Sequence, residues 1–101
     1  MDKKEVIRES HRIRSANRRA EIRRHIDEYK MGRPCVDCGG VFPPVCMDFH
    51  HTHGEKLFEM SSAVTHTRRL DKVILEMEKC VLICANCHRL RHAPVTPEEL
   101  S

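Results

Sequence analysis

From about Lys3 to Tyr29 the chain holds neither proline nor glycine and is rich in Ala, Arg and Glu; it then stops at Met31-Gly32-Arg33-Pro34. That pattern predicts one long helix. At about 100° per residue its apolar positions fall on two sides. Val6, Ile13, Ala16 and Ala20 share one side, while Ile22, Ile26 and Tyr29 share the roughly opposite one. The second patch suits packing on whatever follows the helix. The first is left for another surface, such as a second copy of the chain in a homodimer.

Residues 34–51 read as a hairpin and strand: Pro34 to Gly40 makes a turn, and Val45, Met47 and Phe49 alternate with Cys46, Asp48 and His50. Asp48 and His50 therefore share a strand face. The polar stretch from His51 to Ser62 reads as loop. Leu70, Ile74 and Met77, at i, i+4 and i+7, predict a helix over roughly 67–79. The apolar run Val81-Leu82-Ile83 leads into Cys84. After Cys87, HRLRH runs to Ala93-Pro94, a short helix with His88 and His92 on one face. The expected class is α+β, divided into a basic helix at 1–33, a compact module at 34–93 and a C-terminal tail at 94–101.

Composition sharpens this picture. The only aromatic residues are Tyr29, Phe42, Phe49 and Phe58, so the module needs a staple beyond hydrophobic burial. Two pairs, Cys35-x-x-Cys38 and Cys84-x-x-Cys87, offer four thiolates at the spacing of two zinc knuckles. No apolar run approaches a membrane span, and MDKKEVIRES lacks the apolar centre of a signal peptide. No membrane partner is expected, and the expected location is cytoplasmic, where disulfides are disfavoured. A closed, structural Zn²⁺ site is the resulting expectation; two disulfides or an iron–sulfur cluster are the alternatives. Cys46 and Cys80 are left as small buried apolar residues.

Charge is unevenly spread. Residues 1–33 carry eleven Lys/Arg against six Asp/Glu, and residues 34–101 carry seven against nine. Arg8, Arg12, Arg19, Arg23 and Lys30 project within a sector of about 60° on the helix wheel. Such a stripe is either a solvated face or a track for a polyanion, with double-stranded DNA the first candidate.

Eight histidines are present, four of them where metal chemistry would need them. If the strand ending in Asp48-Phe49-His50-His51 packs against the last helix, His50, His88 and His92 can converge on a metal. Three protein ligands leave coordination positions open for water or a phosphate oxygen. The imidazole of His51 would point away from that metal and could take a proton from an attacking water. His11, His25, His53 and His66 are read as surface histidines.

CxxCG, then DFHH, then CVLICANCHRLRH together resemble the zinc-ribbon branch of the HNH endonucleases, over roughly residues 34–93. The resemblance implies a ββα-metal core stapled by the four cysteines. It implies His51 as general base and a divalent ion, Mn²⁺ or Mg²⁺, held by His50 and His88. Asp48 would be a further ligand or the partner orienting one, and His92 resembles an additional helix histidine of colicin-type nucleases. Other branches carry an Asn nine residues before the helix ligand, where this chain has Lys79; Asn86, inside the second knuckle, is then the middle letter of the motif and would position the base. The resemblance points to DNA nicking. Arg89, Arg91 and Lys56 would bind flanking phosphates. The rival is a non-catalytic zinc-ribbon regulator that binds nucleic acid; it accounts for the cysteines and the basic helix, but leaves DFHH and NCHRLRH without a purpose. A metalloprotease fits worse, because HRLRH lacks the glutamate of H-E-x-x-H.

Overall fold

The computed structural model describes residues 2–66, 69–93 and Glu98. Helix α1 spans Lys3–Lys30. Asp2 caps it, its carboxylate accepting from the Glu5 backbone N–H at 2.8 Å and satisfying one of the donors a helix start leaves free. The helix ends at Met31, just before Gly32 with φ of 74°, a left-handed conformation that glycine adopts without strain.

The two-sided reading of α1 corresponds to two environments. Ile22 is fully buried, and Ile26 and Tyr29 pack with it against Met60, Ala63, Val73 and Met77. Val6 and Ile13 stay about half exposed, at 48% and 51%. The first half of α1 therefore projects from the body, in keeping with overall extents of 66 × 28 × 22 Å.

Strand β1, Met47–His51, pairs antiparallel with β2, Cys80–Cys84, with Phe49 opposite Leu82 and His51 opposite Cys80. The hairpin expected within 34–51 does not form. The turn at Cys35–Gly40 closes through Cys35 N–H to Gly40 O at 2.8 Å and Gly39 N–H to Cys35 O at 2.9 Å, but it docks on β2 through Val36 N–H to Leu82 O at 3.0 Å. Pro43 and Pro44 explain this, since neither can donate to a returning ladder. The partner of β1 is instead the apolar run 81–83, whose strand character the spacing alone left open.

Between the strands lie a short helix α2, Ser62–Thr65, and α3, Leu70–Met77. α2 replaces the end of the expected loop, and α3 falls inside the predicted 67–79, of which residues 67 and 68 lie outside the described part. Helix α4, Ala85–His92, leaves directly from β2. Of the tail at 94–101, only Glu98 is described.

The interior divides in two. One cluster joins α1, α2 and α3 through Ile22, Met60, Ala63, Val73 and Met77; the other joins the first turn to the sheet through Cys35, Met47, Leu82, Ile83 and Cys84. Phe49 packs on both and stacks on Tyr29 at 5.7 Å between ring centroids. No helix is long and apolar enough to cross a membrane among the described residues.

Candidate metal centres

The sequence folds its two Cys-x-x-Cys pairs onto one point. Cys35 and Cys38 stand on the first turn, Cys84 ends β2 and Cys87 lies in the first turn of α4. Their four sulfurs all lie within 4.8 Å of one another. In each pair the backbone N–H three residues on points to the first sulfur, Cys38 to Cys35 and Cys87 to Cys84, both at 3.5 Å. Burial pushes the Cys35 thiol up, but N–H groups of Cys38, Cys84 and Asp37 outweigh it and pull its pKa down to about 6. The neighbouring Cys84 sulfur and then burial push Cys87 up to about 12, the penalty for crowding thiolates that a cation would relieve. Four soft donors in a closed cluster could hold a structural zinc ion. Of the remaining cysteines, Cys80 is half-buried, but Cys46 is exposed, contrary to expectation, because the 3-10 turn Pro44–Cys46 carries it outward before β1 begins.

The second centre is built from β1 and α4. His50, on the outward face of the strand, meets His88 and His92, one helical turn apart, and a nitrogen of each lies within 4.8 Å of the others. Ring centroids are 4.8 to 5.4 Å apart. Burial, then Arg91, then the other two histidines lower the pKa of His50, favouring the neutral, lone-pair-bearing imidazole that a metal requires. Asp48 shares the strand face with His50 but lies outside the trio: its carboxylate accepts from His88 Nδ1 at 3.0 Å. A ligating imidazole is commonly oriented through its other nitrogen in this way, and the contact leaves Nε2 of His88 free.

His51 points to the other side of β1. Its Nε2 lies 2.8 Å from a carboxylate oxygen of Glu76 on α3. Glu76 is 1% exposed and the only buried charged side chain among the described residues. It accepts also from the Leu57 backbone N–H at 3.1 Å and from Lys79 Nζ at 2.9 Å. Burial would raise its pKa, but Lys79, His51 and the Leu57 N–H together hold it below the usual carboxylate value. An ionised Glu76 only accepts, so a neutral His51 beside it would carry its proton on Nε2 and leave the lone pair on Nδ1. His50, His51, His88 and His92 all line one cleft of about 450 Å³, with Lys56 and Glu59 beside them.

Glu76 was not singled out from the sequence. The available signal was position: it lies three residues after Val73 and next to Met77, so a charge sits on the apolar face of α3, where a buried partner is required.

The other predicted residues are less convergent. Lys30 does not belong to an open cationic stripe: its ammonium donates to Met47 O at 2.6 Å and sits 5.3 Å from the Phe49 ring, because the end of α1 is packed on β1. Burial lowers its pKa despite the nearby carboxylates of Asp48 and Asp27. Arg91 grips Asp37 through two nitrogens, at 2.7 and 2.5 Å, fastening α4 to the first knuckle rather than standing free. Lys56 pairs with Glu59 and Arg12 with Glu9. Arg8, Arg23 and Arg89 are exposed, Arg19 is half-buried, and Asn86 is exposed with no hydrogen bond to His51. No family model, curated protein or solved structure matches the chain.

Proposed function

We propose that this chain is a metal-dependent HNH endonuclease that nicks double-stranded DNA. The observation that carries the reading is the meeting of two different histidine environments in one cleft: the trio His50, His88 and His92, and His51 braced by a buried carboxylate. A structural module has no need of the second beside the first. In this reading β1, β2 and α4 are the two strands and helix of a ββα-metal core, stapled by zinc on Cys35, Cys38, Cys84 and Cys87.

Three imidazoles would leave positions for oxygen ligands on a divalent ion. They suit zinc or nickel better than Mn²⁺, and Mg²⁺, which takes oxygen ligands, least, so the metal series in the test below is broad. When bound, the ion would polarise a phosphate and stabilise the charge that grows on its oxygens. His50 and His88 would hold it, with Asp48 fixing His88 and His92 completing the set. His51 accepts through Nδ1 the proton of a water whose oxygen attacks phosphorus; the bond from phosphorus to the 3′ oxygen breaks, and that oxygen takes a proton from solvent. Lys56 lines the cleft, and with the exposed Arg89 of α4 would meet neighbouring phosphates, while Arg8, Arg12, Arg19 and Arg23 on α1 would follow the backbone. One site per chain cuts one strand per encounter, and the exposed Val6 and Ile13 side of α1 would serve any homodimer.

The non-catalytic regulator shares the cysteines and the basic helix but gives the histidine cleft no task. Incubating the protein with supercoiled plasmid and, in turn, Mg²⁺, Mn²⁺, Ni²⁺ and Zn²⁺ separates the two. Nicked circles with at least one metal support the nuclease; a mobility shift without cutting in every metal supports the regulator.

A further inference from the structure

We infer that Glu76 is a positioning residue that selects the tautomer of His51 and is itself aimed by Lys79; this rests on the nuclease reading above. Three donors converge on this one carboxylate. One of its oxygens takes both His51 Nε2, at 2.8 Å, and the Leu57 N–H, at 3.1 Å. The other takes Lys79 Nζ, at 2.9 Å. Lys79 is held in turn by the Glu55 carbonyl at 2.6 Å, and its own carbonyl accepts from the Thr52 N–H at 2.9 Å, immediately after His51. Lys79 thus holds the start of the loop after β1 beside the end of α3, Thr52 through its carbonyl and Glu55 through its ammonium, and the ammonium fixes which way the carboxylate faces.

The consequence is chemical as well as structural. A neutral imidazole carries its proton on one nitrogen only. With Glu76 accepting from Nε2, the proton stays there and Nδ1 is left with the lone pair, without a hydrogen-bond partner among the described residues. Moving the proton to Nδ1 would remove the acceptor that a general base needs, while leaving the ring where it is.

Glu76→Gln tests this because Lys79 would then choose the amide's orientation. The charged donor attracts the amide oxygen more strongly than the neutral Leu57 N–H does, so the amide NH₂ turns toward His51 and donates to Nε2. We expect long-range ¹H–¹⁵N spectra of the imidazoles, with His51 assigned through His51→Ala, to show the proton on Nε2 in the wild type and on Nδ1 in Glu76→Gln. The kcat for nicking should fall by about 10²- to 10⁴-fold, the loss typical of a base held in the wrong tautomer, with KM within about two-fold of wild type. Adding Lys79→Met to Glu76→Gln frees the amide oxygen for His51, and should return the proton to Nε2 and recover at least about ten-fold in kcat. A merely structural carboxylate predicts no such rescue, since the double variant is the more depleted of hydrogen bonds. Zinc content and thermal unfolding of each variant exclude loss of fold as the cause. An unchanged kcat in Glu76→Gln, or a wild-type His51 protonated on Nδ1, overturns the inference. A wild type that cuts no DNA in any metal overturns the nuclease reading instead, and the tautomer spectra still decide whether Glu76 places the proton of His51.

Discussion

Replacing Cys84 by serine should unfold the sheet half of the molecule. Cys84 is 6% exposed, ends β2, and accepts from the Cys87 N–H at the start of α4, so one sulfur joins strand, helix and knuckle cluster. Around it, among the described residues, the second core offers only Met47, Leu82 and Ile83 as buried residues other than cysteine. Burying a side chain of this size stabilises by about 1.5–3 kcal/mol, hence about 5–9 kcal/mol for the three. A metal on four thiolates contributes about 10 kcal/mol or more, comparable to the whole stability of an ordinary domain. Serine offers a hard, neutral oxygen in place of a thiolate, so most of that contribution should vanish. Elemental analysis of protein purified without chelator should find one zinc per chain in the wild type and none in Cys84→Ser, and circular dichroism should show the variant's cooperative thermal transition abolished. A metal-free Cys84→Ser that melts within a few degrees of wild type would refute the staple argument.

Three further outcomes are expected. Ile22→Ala, which empties a fully buried site where α1 meets α2 and α3, should cost about 2–4 kcal/mol in denaturant unfolding without changing zinc content. Glu76 has a folded pKa below its ordinary 4.5, so it contributes stability that is present above 4.5 and lost as pH falls through the folded value; in Glu76→Gln the acid-induced drop in melting temperature should be shallower than in wild type. Deleting residues 1–20 spares Ile22, and should weaken DNA binding and flatten its dependence on salt by about 0.9 in log–log slope for every phosphate the helix had neutralised. An unchanged slope would mean that the projecting half of α1 is a solvated or self-associating face.

What could be read from the sequence was whatever depends on local spacing. The absence of proline and glycine located α1, and its two-sided wheel separated the buried Ile22 and half-buried Ile26 and Tyr29 from the exposed Val6 and Ile13. Strand alternation placed Asp48 and His50 on one side and His51 on the other, and the four-residue spacing placed His88 above His92. Long-range choices were not legible. The chain offers two candidate partners for β1, and only the missing N–H groups of Pro43 and Pro44 and the docking of Val36 on Leu82 select the distant β2. Lys30 shares a wheel sector with four arginines, yet its position at the helix end puts its ammonium on Met47 O, an interaction no helical wheel contains. Glu76 could be suspected from its place on the apolar face of α3, but not its role: His51 and Leu57 reach it from distant parts of the chain, and Lys79, three residues on, joins them.

The central claim is that His51 takes the proton while the neighbouring trio holds the ion, and one comparison tests it most directly. Supercoiled plasmid is incubated with wild type, His51→Ala and His88→Ala in the metal that supports cutting, with binding of that metal measured in parallel by calorimetry on zinc-loaded protein. Neighbouring strand residues point to opposite sides, so the two losses should be separable. Nicked circles should appear with wild type alone; His51→Ala should bind the metal as wild type does and leave the plasmid intact, whereas His88→Ala should lose both. Full nicking by His51→Ala would contradict the account.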